Sequence, residues 1–440
     1  MKLDKNFLKD TLISSRGILV GTTFASYVLG LLRDRLFAHT FGAGQELDAY
    51  QAAFLLPDFL LNFLIAGGLA AAFVPLFLEA KSKDPKQAIL FARTITTISA
   101  LLMLGVGALL FIFAPYLATL VAPGFGAENH ILLVRLVRVL AFSPTIFAAS
   151  NALGGILVAE NRFLTYGLAP VFYNAGIIVG TFFLAPHFGI LGVAYGTIGG
   201  ALLHLAVRLL ELKTLRFPIR PAFHMKLPQF IPFLRLSLPK MFGHPVEMAT
   251  FWGFTALAST LPSGSIAILN FARNFQSVPI SLIGISFATV SFSLLAKAHA
   301  EKDRDRFNAE LNRTMRHIVM LSVLAALGMF FFRNLIISLL IGGGSFDEHA
   351  VRETALLLGA FTLSIPFEAV SHLQARAFYA AKNTLLPVLA GAFNLIISVF
   401  CAWMLIGTFG LLALPLGYAI GTLAKVIVLG ILLPRQLKNI

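Results

Sequence analysis

Charge is what this sequence is shortest of. Only 12% of its 440 residues are Asp, Glu, Lys or Arg, about half the share a water-soluble domain carries, which excludes an ordinary soluble globular protein. Cysteine is nearly absent: Cys401 stands alone inside an apolar run, so internal disulfides and thiolate metal clusters are excluded. Acidic residues are also scarce, 20 against 34 Lys and Arg, for a formal charge of +14. In a soluble domain that excess would suggest nucleic acid. Here the bases fall in short segments between apolar runs, so membrane topology accounts for them and nucleic acid is not an expected partner. Catalytic motifs are missing as well: there is no H-E-x-x-H, no G-x-S-x-G, no P-loop and no G-x-G-x-x-G opening a helix after a strand, and the reading is of a protein that is not an enzyme.

What fills the chain is hydrophobic, 58% of all residues. Apolar runs long enough to cross a bilayer fall at 14–41, 49–78, 90–121, 132–158, 164–185, 188–212, 229–260, 264–297, 314–342, 351–380, 384–407 and 410–433. Lys2, Lys5, Lys9 and Arg16 ahead of the first run resemble a secretory signal. That run has no A-x-A-like cleavage site and continues through Arg33, so it reads as a retained first helix. Pro57, Pro144, Pro170, Pro279, Pro366 and Pro387 lie within runs, where freed carbonyls find partners on neighbouring helices, and broken helices are expected.

Loop charge sets the sidedness. Lys81, Lys83 and Lys86 follow the second run, Arg162 the fourth, Lys213, Arg216, Arg220 and Lys226 the sixth, Lys297, Lys302, Arg304 and Arg306 the eighth, Lys382 the tenth, and Arg435 and Lys438 the twelfth. The alternate loops carry Glu46 and Asp48, Glu128, and Asp347 and Glu348. The excess of base marks the cytoplasmic side, so both termini are read as cytoplasmic.

The chain also repeats itself. "FGILGVAYGTIGG" from Phe188 resembles "FGLLALPLGYAIGT" from Phe409, Gly196 and Gly200 matching Gly417 and Gly421, while Asn161 pairs with Asn383 and Asn174 with Asn394 at nearly the same displacement. A duplicated six-helix unit keeps both copies in one orientation. The expected fold is an all-α polytopic membrane protein of about twelve transmembrane helices in two six-helix bundles, forming a V-shaped clamp around a central cavity. The boundaries are 1–212 for the first lobe, 213–228 for a basic cytoplasmic linker and 229–440 for the second lobe.

Within that frame "LLRDRLFAHTFGAGQELDAY" (31–50) is the anomaly. A charged side chain at the bilayer centre costs on the order of 2.5–3.5 kcal/mol on insertion scales. Arg33 and Asp34 are about 100° apart on a helix and are not expected to neutralise each other along one face. Ser26, Gly30, Arg33 and Asp34 form a polar strip. Two readings stand: charged side chains snorkelling near a helix end, or a strip lining the cavity. In the second, the guanidinium fork suits a phosphate. Glu247 and Glu368, also within runs, are candidates for proton or cation coupling, whereas His204 and His372 read as satisfied bundle residues.

"SYVLGLLRD" (26–34), "FGAGQELDAY" (41–50), "AFLLPDFLLN" (53–62) and "GGLAAAFVPLFLE" (67–79), in that order, resemble the opening of the MurJ/MviN family, lipid II flippases of the multidrug/oligosaccharidyl-lipid/polysaccharide exporter superfamily. "LVAPGF" (120–125) and "NFARNFQSVPISLIGISFATVSFSLLA" (270–296) extend the likeness more weakly. The resemblance implies a bacterial plasma (inner) membrane protein of cell-wall biogenesis, acting in peptidoglycan biosynthesis and cell shape. It would flip lipid II, the undecaprenyl-diphosphate-linked precursor, from the inner to the outer leaflet by alternating access. It implies Arg33, Asp34 and Asp48 as substrate-binding residues, which Arg273, next to the family's second-half arginine position, is expected to join, and it adds Asn394 to Glu247 and Glu368 as a candidate for ion or proton coupling. No cofactor is expected beyond coupling to a monovalent cation or the membrane potential, any metal is left open, and the partners are lipid II and membrane lipids around a monomer. The alternatives are export of another polyprenyl-linked glycan, or ion-coupled multidrug antiport. Departures from the family pattern are specific: its first motif arginine falls on Tyr27, its Arg-Arg pair on Leu61 and Asn62, its E-G glutamate on Ala66, its second-half arginine on Asn274 beside Arg273, and its acidic sodium-site position on Phe254. The C-terminal helix pair of fourteen-span members is not in these 440 residues, which touches the family's lipid-tail groove and leaves the central cavity in place.

Overall fold

A computed structural model describes residues 15–241 and 245–437, with side chains throughout except at 15, 16, 65–71, 239–241, 245 and 247. The helices are α1 Ser15–Phe41, α2 Gln45–Leu61, α3 Gly67–Lys83, α4 Pro85–Val121, α5 Ala127–Leu140, α6 Ser143–Ala159, α7 Phe163–Val179, α8 Ile190–Thr214, α9 Phe230–Met241, α10 Pro245–Ala258, α11 Ser265–Pro279, α12 Ser286–Ala300, α13 Arg304–Leu340, α14 Glu348–Phe361, α15 Ile365–Ala380, α16 Leu385–Phe409 and α17 Ala413–Gln436. The chain is an all-α polytopic membrane protein. Among the described residues, eight helical stretches are long and apolar enough to cross a bilayer, the last of them, Leu385–Gln436, covering two of the expected spans. The first, second and seventh runs are helical over their described residues.

The breaks fall beside some of the prolines. A π-helical segment, Asn62–Ala66, separates α2 from α3, and another, Ile280–Ile285, begins directly after Pro279. The 3-10 turn Thr362–Ser364 lies ahead of Pro366, where the pyrrolidine ring would otherwise strike the carbonyl of Thr362. Pro170 stays inside continuous α7, and Pro387 within α16.

The chain divides into two compact units, of which the first comprises the described residues through Phe37, with Ala49–Val121 and Phe125–Pro245, and the second Ala38–Asp48, Ala122–Gly124 and Val246–Ile440. This moves the expected lobe boundaries. Helix α9 packs on α3 and so belongs to the first unit, and the 213–228 segment belongs there too. Residues 38–48 belong to the second unit because backbone and side-chain bonds hold them there: Ser345 N–H donates to His39 O at 3.0 Å, and the His39 ring meets Gly342 O at 2.9 Å.

The core of the first unit is aromatic. Phe73, Phe77 and Phe91 are fully buried, with Phe73 stacked on Phe77 at 5.7 Å and on Phe91 at 5.6 Å between ring centres. In the second unit Leu295, Phe307, Leu373, Phe378 and Leu429 make the equivalent cluster. The paired glycines have a packing role. A side chain at Gly176 or Gly180 would strike the backbone of Gly200 or Gly196, so α7 and α8 approach at a distance that only glycine permits. Gly417 and Gly421 face Ser398, Ala402 and Asn394 of α16 in the same manner.

Candidate functional site

Helix α1 brings Arg33 into the first unit, where it does what adjacent positions were not expected to allow. The guanidinium folds back onto Asp34, Nη2 donating to Oδ1 at 2.8 Å and Nε to the same oxygen at 3.0 Å. Spacing along an ideal helix measures Cβ directions, and the long arginine side chain spans the 100° between them. The third donor, Nη1, reaches Asn174 Oδ1 of α7 at 3.1 Å, and the cation lies over the Phe37 ring at 5.8 Å. Asn174 is fixed in turn, its amide donating to Pro170 O at 3.2 Å and Ser26 Oγ at 3.4 Å. The strip from Ser26 to Asp34 is therefore one hydrogen-bonded patch with α7. Both charged side chains remain partly accessible, 26% and 14%, so the patch is packed yet reachable. Tyr50, buried beside Phe37, donates to or accepts from Thr197 at 2.7 Å.

Asp48 is held by backbone donors. It belongs to the second unit and caps α11: Oδ2 accepts from Gly264 N–H at 2.6 Å and Oδ1 from Ala267 N–H at 2.7 Å. Both oxygens serve the orphan donors of a helix start, and the residue is 3% exposed. Gly264, at φ +92°, lies so close to Ala43 O that no side chain fits there.

Arg273 lies in α11 of the second unit, its guanidinium carbon 3.4 Å from the centre of the Phe251 ring. That ring joins Phe254 and Tyr418 in an aromatic cluster, so Phe254 packs among rings. Arg273 is half-buried and Asn274 exposed. Glu368 is buried at 8% and accepts from Gln276 Nε2 at 3.0 Å, the same amide also reaching Ser364 Oγ at 3.0 Å in the 3-10 turn. Asn394 accepts from Ser398 at 3.1 Å against Gly421, so its visible role is packing α16 on α17. The Glu247 side chain lies outside the described residues.

One buried cation escaped the sequence reading. Arg208 of α8, 3% exposed, donates to Ser150 O at 2.5 Å and Asn151 Oδ1 at 3.2 Å, with Tyr166 at 5.2 Å. Its lone place within "HLAVRLL" was the available signal. His204, one turn earlier, bonds Ser150 Oγ at 2.8 Å, the satisfied bundle histidine expected.

Two bundles of membrane helices, one of them holding a hydrogen-bonded arginine fork within its spans, define a membrane transporter. The lipid II flippase MurJ family matches over residues 37–440, and the chain belongs to that family. It is 30% identical over 409 residues to the lipid II flippase MurJ of Thermosipho africanus, covering 91% of this chain and 80% of that one. It is 27% identical over 411 residues to the probable lipid II flippase MurJ of Borreliella burgdorferi, covering 92% and 80%. Among solved structures, a lipid II flippase MurJ in an inward closed conformation superimposes with a TM-score of 0.81 at 26% identity, over 96% of this chain and 89% of that one. An inward-facing multidrug transporter of the MATE family shares the fold, with a TM-score of 0.80 at 18% identity over 94% and 95% of the two chains.

Proposed function

We propose that this chain flips lipid II, carrying the undecaprenyl-diphosphate-linked peptidoglycan precursor from the inner to the outer leaflet of the bacterial plasma membrane by alternating access. Membership of the family over residues 37–440 supports the cargo. The observation that carries the residue assignment is the Arg33 fork, held at 2.8 Å by Asp34 and 3.1 Å by Asn174. Asp34 acts as a placeholder. In a low-dielectric setting an unpaired guanidinium is costly, and the neighbouring carboxylate satisfies it until a doubly charged diphosphate competes for the same donors. Release returns Asp34 to the fork. The exchange keeps the cation paired at every stage.

Glu368 with Gln276 is the proposed coupling position, a buried carboxylate beside two helix breaks. The chain works as a monomer with both termini in the cytoplasm, in keeping with the loop charges. The test is depletion of the resident flippase in cells expressing this chain. Restored growth and lipid II export are expected, and Arg33→Ala should abolish both while the protein still reaches the membrane. Good membrane expression without rescue would move the assignment to export of another polyprenyl-linked glycan.

A further inference from the structure

The segment joining α8 to α9 is more than a tether between spans. From residue 212 to residue 246 there is no Asp or Glu, while Lys213, Arg216, Arg220 and Lys226 fall within fourteen residues of one another. All four are exposed. A run of bases is ordinarily a solvated face, but this one is interleaved with large apolar side chains that are equally uncovered: Ile219 at 44%, Phe223 at 58% and Met225 at 50%. Water explains the bases and leaves the apolar residues unexplained.

The segment is also held in a defined place on its own unit. Arg93 of α4 donates through Nε to Arg220 O at 2.5 Å and through Nη2 to Pro221 O at 3.2 Å. Ala222 N–H donates to Thr97 Oγ1 at 3.1 Å, and Ala222 itself is buried beneath the segment. Gln229 reaches Gln87 at 3.0 Å further along. The strap is therefore fastened across α4 by its backbone, with Leu215 and Phe217 packed on the core, which leaves its four bases and Ile219, Phe223 and Met225 uncovered.

Helix α4 supplies a ruler for depth. Its large exposed apolar residues run from Leu101 to Leu120, a stretch of about 29 Å at about 1.5 Å per residue, which matches the roughly 30 Å hydrocarbon core of a bilayer. Thr97 and Arg93 then lie about 6 and 12 Å outside that band, within or just beyond the polar headgroup layer, which adds roughly 5–7 Å on each side. A chain segment at that depth meets phosphates with its cations and the acyl boundary with its apolar side chains.

We infer that residues 213–226 form an interfacial strap that binds the anionic lipids of the bilayer surface, Arg216, Arg220 and Lys226 contacting headgroup phosphates while Ile219, Phe223 and Met225 enter the acyl boundary. The inference is independent of the cargo. Its test uses the full chain with Cys401→Ser and Met225→Cys, the new thiol carrying a bimane label, reconstituted in symmetric vesicles so that insertion direction does not matter. The vesicles hold phosphatidylcholine and phosphatidylglycerol in fixed proportion, with brominated acyl chains on one lipid or the other. Brominated phosphatidylglycerol should quench the label several-fold more per molecule than brominated phosphatidylcholine, since each base near an anionic surface contributes roughly fivefold. High salt should bring the two toward equality. The triple substitution R216Q/R220Q/K226Q should erase the preference, and the salt dependence of the unsubstituted strap tests the same point without altering those bases. Equal quenching by both lipids, or a preference untouched by salt and by the triple substitution, would overturn the inference. So would quenching by neither lipid, which would place the strap in water. A preference that emerges only when an undecaprenyl diphosphate lipid is added would also overturn it, by making the strap a cargo contact.

Discussion

At the scale of the residue, the telling feature is how each buried ion is satisfied. Arg33 has a carboxylate partner one residue away and an amide on another helix; Arg208 has a carbonyl, an amide oxygen and an aromatic ring, with no carboxylate bonded to it. The two should respond differently to substitution. Asp34→Asn removes the placeholder's charge while leaving one oxygen acceptor, so the cargo diphosphate should bind more tightly and leave more slowly. In a lipid II translocation assay turnover should fall several-fold while half-saturation shifts to lower lipid II; unchanged kinetics would remove Asp34 from the exchange. Arg208→Ala should leave cargo affinity alone and cost about 2–4 kcal/mol of stability, because it removes the bond to Asn151 Oδ1 and opens a cavity beside Gly154 and Tyr166. A thermal melt in detergent checks it, and an unshifted melting temperature would contradict the reading. Of these two arginines, only Arg33 was visible beforehand. It interrupts an apolar run next to an acid and a second arginine, whereas Arg208 sits close enough to the run's basic end to pass as a loop residue. The Arg33–Asn174 bond joins positions 141 residues apart, and no local pattern encodes a partner that distant.

At the scale of the element, sequence spacing served best where one residue type is required by geometry, and least where a helix end needs a partner from elsewhere. The glycines spaced four apart at 196/200 and 417/421 were read as repeat positions, and in the structure each pair lies at a close helix approach. The register it shows is slightly different from the one read. Gly200 faces Tyr173 and Gly421 faces Asn394, so Asn394 takes the place of Tyr173 rather than that of Asn174. Gly180→Ala should destabilise the first unit by about 1–3 kcal/mol through backbone overlap with Gly196, while Gly199→Ala, which meets nothing within 4 Å, should be neutral or slightly stabilising. Equal melting temperatures for the two variants would contradict the close pair. Asp48 was legible as an acid after glycines but not as a cap, because the helix it serves begins 217 residues later at Ser265. Asp48→Ala leaves two N–H groups unpaired at a positive helix end, and about 2 kcal/mol of stability should go with them. Asp48→Asn, which keeps one acceptor, should cost less. The order Ala below Asn below wild type in a detergent melt is the expected result, and a reversed order would return Asp48 to a role with cargo.

At the scale of the whole molecule, duplication and sidedness are linked, and the backbone carries the repeat more faithfully than the side chains. Asn161 and Lys382 both adopt positive φ, 58° and 59°, and Gly189 and Gly410 do so at 58° and 53°. Each pair is separated by 221 residues, and each ends or opens corresponding helices of the two units. A non-glycine residue seldom takes such a conformation, so its recurrence at one displacement marks the same turn built twice, even though an amide stands in one copy and an amine in the other. A six-helix unit returns the chain to the side from which it started. On the twelve-span reading the turns at Asn161 and Lys382 are expected on one face of the membrane, together with the lysine-rich loops at 81–86 and 297–306. The loops around 45, 128 and 348 are then expected on the opposite face. In a Cys401→Ser background, single cysteines at Gln45, Glu128 and Glu348 should react with a membrane-impermeant maleimide added to intact cells, and cysteines at Lys83 and Asp305 should react only after permeabilisation. All five positions are exposed, so a missing reaction cannot be put down to burial. Glu348 is preferred to its neighbour Asp347, whose carboxylate caps α14 through Ala350 N–H at 2.8 Å. Labelling of Glu348 from outside but of Gln45 only from within would place an odd number of crossings between them, and would break both the twelve-span reading and the parallel orientation of the two units.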